Sequence, residues 1–225
     1  VVAVGITTAP RPIPTLDRCL SSARAAGVTG TILVSADGDC LVPDNTVDLH
    51  VHEPRLGVLR NWAWTLRKLL ERDEDYVLIV QDDVTWARGS WTWLLRHLDA
   101  SKAAPVPFFT LYVDPKVGRD LERHHSRPLR PGWYMSHLGA DSGGALCYGF
   151  SRACADVLLK NAEFQYDLST RDKNIDRIVP KCLVNIGVPM AVRIPGLMHH
   201  RLGSGNSSIK VKKPRDTHYW ENDAS

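Results

Sequence analysis

What the chain lacks narrows it first. No apolar run approaches the roughly 20 residues a helix needs to span a bilayer, so nothing in the sequence reads as a transmembrane segment. The chain opens directly on a strand-like stretch, Val1–Ile6, with no basic leader and no signal-like apolar run. Its cysteines, Cys19, Cys40, Cys147, Cys154 and Cys182, are odd in number and scattered. That pattern fits neither a disulfide framework nor the paired spacing of a zinc site, and a reducing compartment is the simpler expectation. Internal repeats and low-complexity segments are missing, and no sequence-specific nucleic-acid motif is present.

What remains is ordinary globular material. The 225 residues are 44% hydrophobic and 24% charged, enough for one domain, with or without a small appendage. The net charge of +3 identifies no partner. Its distribution says more: Arg119, Arg123, Arg127 and Arg130 cluster mid-chain, and Lys210, Lys212, Lys213 and Arg215 cluster near the end. Such clusters suit a polyanion or simply solvated loops.

The stretch Tyr76–Val84 organises the rest. Five apolar residues rich in β-branching run into Gln81-Asp82-Asp83, which reads as a buried parallel strand ending in two carboxylates. Ligands of open α/β sheets collect at that end. Adjacent carboxylates repel unless a cation or proton neutralises them, so the pair is either a cation and phosphate anchor or a polar turn. Upstream, Val1–Ile6 predicts a strand, the spacing of Leu16, Leu20, Ala23 and Ala26 a helix, and Gly30–Asp39 a second strand with its loop. Together they make a βαβ unit. A short alternating strand at Val47–Val51 and a helix over Val58–Leu70 follow, and a tryptophan-rich helix spans Ser90–Asp99. Beyond Phe108–Val113, the segment 114–136 shows no periodicity and reads as a long loop. A glycine-rich strand to Phe150 comes next. Helices over Arg152–Lys160 and from Asp172 to Ile186, a strand over Val188–Ile194 and a polar, glycine-rich tail to Ser208 complete the pattern.

Several residues near predicted strand ends suit a phosphorylated ligand. Thr7, Thr8 and Arg11 follow the first strand and offer hydroxyls and a guanidinium to a base or phosphate. Asp37 follows the second and suits a ribose or base, or merely an Asp-Gly turn. Arg60 and Asn61 lie in the first turns of a helix, within reach of a diphosphate or solvating the helix end. Gly143 and Gly144 would let backbone approach a ligand closely. Trp86, Trp91 and Trp93 are either core or a stacking surface.

The order of these features resembles the nucleotide-sugar glycosyltransferases of the GT-A fold. βαβ units come first, then Gln81-Asp82-Asp83, a glycine-rich return strand, acidic residues opening a helix, and a histidine-containing tail. The resemblance is one of layout over residues 1–208. Its most specific element matches the acidic signature of that fold, with Gln81 in place of the usual first carboxylate. It implies a single α/β domain with a mostly parallel, Rossmann-like sheet flanked by helices. Residues 1–113 would form a nucleotide-sugar half, 114–208 an acceptor-side half and 209–225 a basic tail. It also implies a Mn²⁺ or Mg²⁺ ion held by Asp83, with Asp82 as second ligand or ribose contact and His200 or His199 as a tail ligand. Asp176, or alternatively Asp172, would be the base, unless these are helix-start carboxylates favoured by the macrodipole. The implied donor is a nucleoside diphosphate sugar, UDP-sugar favoured. The acceptor is a hydroxyl, either on a hydroxymethylated DNA base, as in phage DNA modification, or on a glycan, lipid-linked sugar or protein. The implied setting is a bacterial or viral-host cytoplasm. A competing class is a nucleic-acid-binding module without catalysis, which leaves Asp82 and Asp83 unexplained.

Overall fold

A computed structural model describes residues 2–40, 42, 47–100, 106–113, 115–126, 128–136, 146–170 and 174–200. The first part of the chain forms β1 (Val2–Thr8), α1 (Leu16–Ala26), β2 (Ile32–Ala36), β3 (Val47–Val51), α2 (Val58–Leu70), β4 (Tyr76–Gln81), β5 (Val84–Trp86) and α3 (Ser90–Ala100). Then come β6 (Phe108–Thr110), α4 (Pro115–His125), β7 (Gly132–Ser136), β8 (Cys147–Ser151), α5 (Arg152–Lys160), α6 (Ala162–Thr170), α7 (Ile175–Asn185), β9 (Met190–Ile194) and β10 (Met198–His200).

Among the described residues eight strands make one sheet in the order β3-β2-β1-β4-β8-β6-β9-β7, and β10 pairs with β5 in a separate two-stranded ribbon. β1 runs parallel to β2 and β4, and β3 is parallel to β2. β8 is antiparallel to both β4 and β6, β9 is parallel to β6, and β7 is antiparallel to β9. Among the described strands only β7 and β8 therefore oppose the common direction, so the sheet is the mostly parallel one expected. Its two sequence halves interlock, because β6 precedes residue 114 yet lies between β8 and β9.

Strand alternation sorts side chains into two cores. Val2, Val4, Ile6, Leu78 and Val80 pack with α1 and α3 on one face. Ala3, Val77 and Ile79 pack with α2, α5 and α7 on the other. Strands buried on both faces read as continuous apolar runs, which is why β1 and β4 were visible in the sequence. Gly5 sets the approach of α2: a Cβ there would lie 2.7 Å from the Thr65 side chain. Ser151 caps α5 as expected, accepting from the Cys154 N–H at 3.3 Å.

Five elements were not anticipated. α4 and β7 lie within the segment read as a loop, and α6 lies in a stretch given no assignment. β5 and β10 are only three residues each, too short for periodicity to show. Trp86 and Trp91 are core, ring centroids 6.2 Å apart, whereas Trp93 lies under the guanidinium carbon of Arg193 at 4.3 Å. Among the described residues no helix is long and apolar enough to cross a membrane.

Candidate functional site

Strand order locates a site before any side chain is considered. The chain steps outward from β1 to β2 and β3, then returns on the other side of β1 as β4. Such a reversal opens a crevice above the carboxyl ends of the two strands, where open α/β sheets bind ligands. Thr7 and Gln81 are register partners at that rim, and Thr8 and Asp82 meet just beyond it.

Asp82 is tied down on both oxygens. Oδ2 accepts from the hydroxyls of Thr8 at 2.7 Å and Thr15 at 3.0 Å, and Oδ1 accepts from Nη2 of Arg11 at 2.6 Å. Its side chain is 1% exposed. Burial pushes its carboxyl above the usual range, more than the charge of Arg11 and the Thr8 hydroxyl pull it back. Asp83 differs. Its Oδ2 lies 3.3 Å from Nη1 of Arg11 and 3.5 Å from Nε2 of His200. Burial raises its carboxyl too, but the His200 contact and the Arg11 charge outweigh burial and hold it below the usual range. Neighbouring carboxylates are thus driven apart in proton affinity, a feature of sites that do chemistry. Among the described residues Oδ1 of Asp83 and Nε of Arg11 are buried without a hydrogen-bond partner. Buried polar atoms of that kind call for an explanation.

His200 arrives from the far end of the chain. It sits opposite Val84 in the β10–β5 ribbon, one residue from Asp83. Leu197 and Met198 anchor that ribbon in the core, and both donate their N–H to the carbonyl of Leu111. Alternation along β10 sends His199 to the opposite face from His200. The ring of Tyr112 meets His200 edge-on at 6.3 Å.

A second network continues from Thr8 along the rim. Asn61 is buried, and its Nδ2 donates to the carbonyls of Ser35 at 3.1 Å and Thr8 at 3.5 Å. Its Oδ1 accepts from the Ser35 hydroxyl at 2.5 Å, and the same hydroxyl oxygen lies 2.8 Å from Nε2 of His52. Asp37 is buried and accepts from the N–H groups of Leu56 at 2.5 Å and Gly57 at 3.1 Å, fastening the turn before α2. The loops after β1, β2 and β3 converge at Gly38, where a Cβ would lie 3.4 Å from both Pro10 and Arg55. Gly38 has φ of +109°, a conformation glycine adopts without penalty.

The structure therefore joins Thr8, Arg11, Asn61, Asp82, Asp83 and His200 around one rim. Asn61 and Asp37 face protein groups there, in roles the sequence did not suggest. Thr7 is buried within β1. Arg60 turns elsewhere: Nε donates to the carbonyl of Leu168 at 3.0 Å and Nη2 to that of Ser169 at 3.4 Å, satisfying the end of α6. Asp176 is exposed in the first turn of α7. Because α7 leads into β9, which runs with β6 and β4, that turn lies at the same pole as Asp83. Asp172, Gly143 and Gly144 lie outside the described residues. Thr15, Ser35 and His52 were not singled out by sequence. Thr15 carried a faint signal as a hydroxyl residue after Pro14 at a helix start; Ser35 and His52 carried none.

Among the described residues no group of three His, Cys, Asp or Glu side chains is placed to hold a metal. A cavity of about 1260 Å³ lies at the opposite pole, lined by Val2, Val4, Tyr76, Trp91 and Arg152 among others. Arg152 is committed there to the carbonyls of Arg72 and Leu70. The ionisable cluster, not this cavity, marks the candidate site.

No protein-family model matches the chain, and no curated protein matches it. Among solved structures the chain is similar to a CMP:2-keto-3-deoxy-manno-octonic acid synthetase complexed with CTP. The TM-score is 0.51 at 11% identity, covering 85% of this chain and 88% of that one. The likeness is one of fold: a Rossmann-like α/β sheet flanked by helices, shared over most of both chains.

Proposed function

We propose that the carboxyl pole binds a nucleoside diphosphate sugar and transfers the sugar to an acceptor hydroxyl. The observation that carries this reading is the meeting of Arg11, Asp83 and His200 above the β1–β4 crevice, with Oδ1 of Asp83 and Nε of Arg11 left without partners among the described residues. The fold shared with a synthetase complexed with CTP supports a nucleotide as the ligand. A guanidinium suits a diphosphate because its fork of donors matches phosphate oxygens. Asp83 and His200 would hold a Mn²⁺ or Mg²⁺ ion, whose remaining positions phosphate oxygens and water would fill. Such an ion, when bound, offsets charge on the leaving diphosphate. Asp82, with three donors already on it, anchors Arg11 in this reading.

In the transfer, the acceptor oxygen bonds to the anomeric carbon and the bond from that carbon to the diphosphate oxygen breaks. The electron pair leaves on the diphosphate, and the acceptor proton passes to a carboxylate, which we assign to Asp176 at the same pole. Arg119, Arg123 and Arg130 are exposed on and just after α4, and that basic surface makes a hydroxymethylated base in DNA the first acceptor to test. A glycan is the second.

The test combines binding and product. UDP- and GDP-sugars should raise the melting temperature with Mn²⁺ and less without it, and Asp83→Asn should lose the cation-dependent part. A hexose mass should appear on the acceptor, and Asp176→Asn should bind donor without transferring. Thermal shifts absent for every sugar nucleotide would overturn the reading. The synthetase fold favours a second reading, nucleotidyl transfer to a sugar acid. Pyrophosphate released from a nucleoside triphosphate, with no hexose transfer, would establish that one instead.

A further inference from the structure

The network along the β2–β3 rim fixes the state of a histidine that the reading above leaves unused. Asn61 directs Nδ2 at two carbonyl oxygens, those of Ser35 and Thr8. The reversed amide would set an oxygen against both, so its orientation follows from chemistry. Oδ1 of Asn61 then lies 2.5 Å from the Ser35 hydroxyl oxygen, and that contact takes the single hydroxyl proton. The proton between Ser35 and His52, 2.8 Å apart, must come from the ring. His52 therefore carries its hydrogen on Nε2. With that hydrogen on Nε2, Nδ1 of the neutral ring is an acceptor, and burial lowers the ring's affinity for a second proton. Among the described residues Nδ1 has no hydrogen-bond partner, and Trp64 holds the ring edge-on at 4.5 Å.

His52 stands at the carboxyl end of β3, on the same rim as the Thr8–Asp82 contact. It follows β3 directly, and its N–H bonds the carbonyl of Ala36 at 2.9 Å. The loops after the first three strands converge beside it at Gly38. One continuous set of contacts links His52 through Ser35, Asn61 and Thr8 to Asp82. A nucleotide with its phosphates at Arg11 would extend its base along this rim.

We infer that His52 reads the base of the bound nucleotide, Nδ1 accepting a hydrogen bond from a ring N–H, so that uridine is selected over cytidine. The inference rests on the nucleotide reading of the same site. Uracil presents N–H at ring position 3, where cytosine presents a lone pair that would oppose that of Nδ1. Guanine also carries a ring N–H and adenine does not, so the recognised chemistry is the ring N–H itself.

Titration of UDP, CDP, GDP and ADP by calorimetry tests it. UDP should bind at least about tenfold more tightly than CDP, since a lone pair facing a fixed acceptor leaves both unpaired. GDP above ADP would show that a purine is admitted on the same chemistry, and GDP no tighter than ADP would restrict recognition to uracil. His52→Gln keeps a donor for Ser35 and removes the Nδ1 acceptor. It should reduce the UDP-to-CDP ratio to about threefold or less, and His52→Ala, which removes the acceptor outright, provides the check should the glutamine variant not fold. A merely structural role would change affinity for all nucleotides without changing the ratio. Equal UDP and CDP binding by the wild type, or an undiminished ratio in His52→Gln, overturns the inference and leaves the nucleotide reading intact. Failure of every nucleotide to bind the wild type removes both.

Discussion

Arg11, partly exposed, and buried Asp82 form an ion pair, Nη2 to Oδ1 at 2.6 Å, across the crevice between β1 and β4. The same guanidinium reaches Asp83 at 3.3 Å. One side chain from a loop flanked by Pro10 and Pro12 thus offsets two carboxylates at the end of the central strand. The carboxylates are unequal. Asp82 has its acceptor sites filled by protein donors, whereas Asp83 retains a buried oxygen without a partner among the described residues.

That inequality separates two substitutions. Asp82→Ala strips the acceptor from Arg11, Thr8 and Thr15 at once. Leaving two buried hydroxyls and a partly buried guanidinium short of an acceptor should cost about 2–4 kcal/mol. Asp83→Asn keeps shape and much of the contact, and its cost should stay within about 1 kcal/mol. Urea unfolding of the two variants checks the order. An Asp82→Ala protein as stable as Asp83→Asn would mean that the Arg11–Asp82 pair does not hold the rim together.

Arg11 also bears on cation binding. Mn²⁺ alone should bind the wild type weakly, because the guanidinium already offsets the charge it would seek. UDP should strengthen Mn²⁺ binding by drawing Arg11 onto the diphosphate, and Arg11→Met should bind Mn²⁺ without nucleotide. Electron paramagnetic resonance of free Mn²⁺ measures this directly. At a free concentration of 100 times Kd, a bound ligand adds about 2.7 kcal/mol of stability. Chelation should therefore lower the melting temperature of the nucleotide complex and leave the free protein unchanged.

The sequence made the central strands and the acidic pair visible because burial on both faces demands uninterrupted apolar residues. Tyr76–Val80 and Val1–Ile6 carry that signature. It was silent on β5 and β10, since three residues hold no period, and so could not show that His200 would face Asp83 rather than His199. The polar segment ahead of β8 hid α4 and β7, whose boundaries depend on packing rather than local pattern. Arg60 and Asn61 looked alike as neighbours in the first turns of α2. Helical rotation separates them: Asn61 turns inward beneath the rim, and Arg60 turns to the end of α6.

Those two neighbours should accordingly respond differently. Asn61→Ala leaves the Ser35 hydroxyl and two buried carbonyls short of a partner, and about 2–4 kcal/mol should be lost. Arg60→Ala gives up contacts to carbonyls at a partly exposed helix end and should cost about 1 kcal/mol or less, with nucleotide affinity unchanged. A tenfold loss of nucleotide affinity in Arg60→Ala would return it to the diphosphate role suggested by sequence.

The pH dependence of stability has a sign that follows from burial. Burial lowers the proton affinity of His52 below its ordinary value of 6.5, against the opposing pull of Asp37. As pH falls through 6.5 the unfolded chain takes up a proton that the folded ring refuses, so stability declines until the folded value is passed. Asp83, held below 3.8, loses its stabilising contribution only in stronger acid; Asp82, raised by burial, works in the opposite sense. Wild type and His52→Gln should therefore diverge in melting temperature between pH 8 and about 5.5, the wild type falling more steeply. Parallel curves would show that His52 takes up its proton equally in the folded and unfolded chain.

Cysteine reactivity gives a direct reading of where a nucleotide sits. Cys19, Cys147, Cys154 and Cys182 are buried, whereas Cys40 is partly exposed. Burial pushes the thiols of Cys147, Cys154 and Cys182 up to about 12, and that of Cys19 further still. Because the thiolate is the reactive form, all four should resist alkylation in the native protein. Cys40 is also raised, chiefly by burial, with the Thr8 contact opposing. It should react more slowly than a free thiol but alone, giving a single adduct by intact mass at pH 8. Its contact with Thr8 puts it beside the proposed phosphate and base positions, so saturating UDP should slow labelling several-fold. If UDP binds yet labelling of Cys40 proceeds at the same rate, the nucleotide lies elsewhere, and the cavity at the opposite pole becomes the place to look.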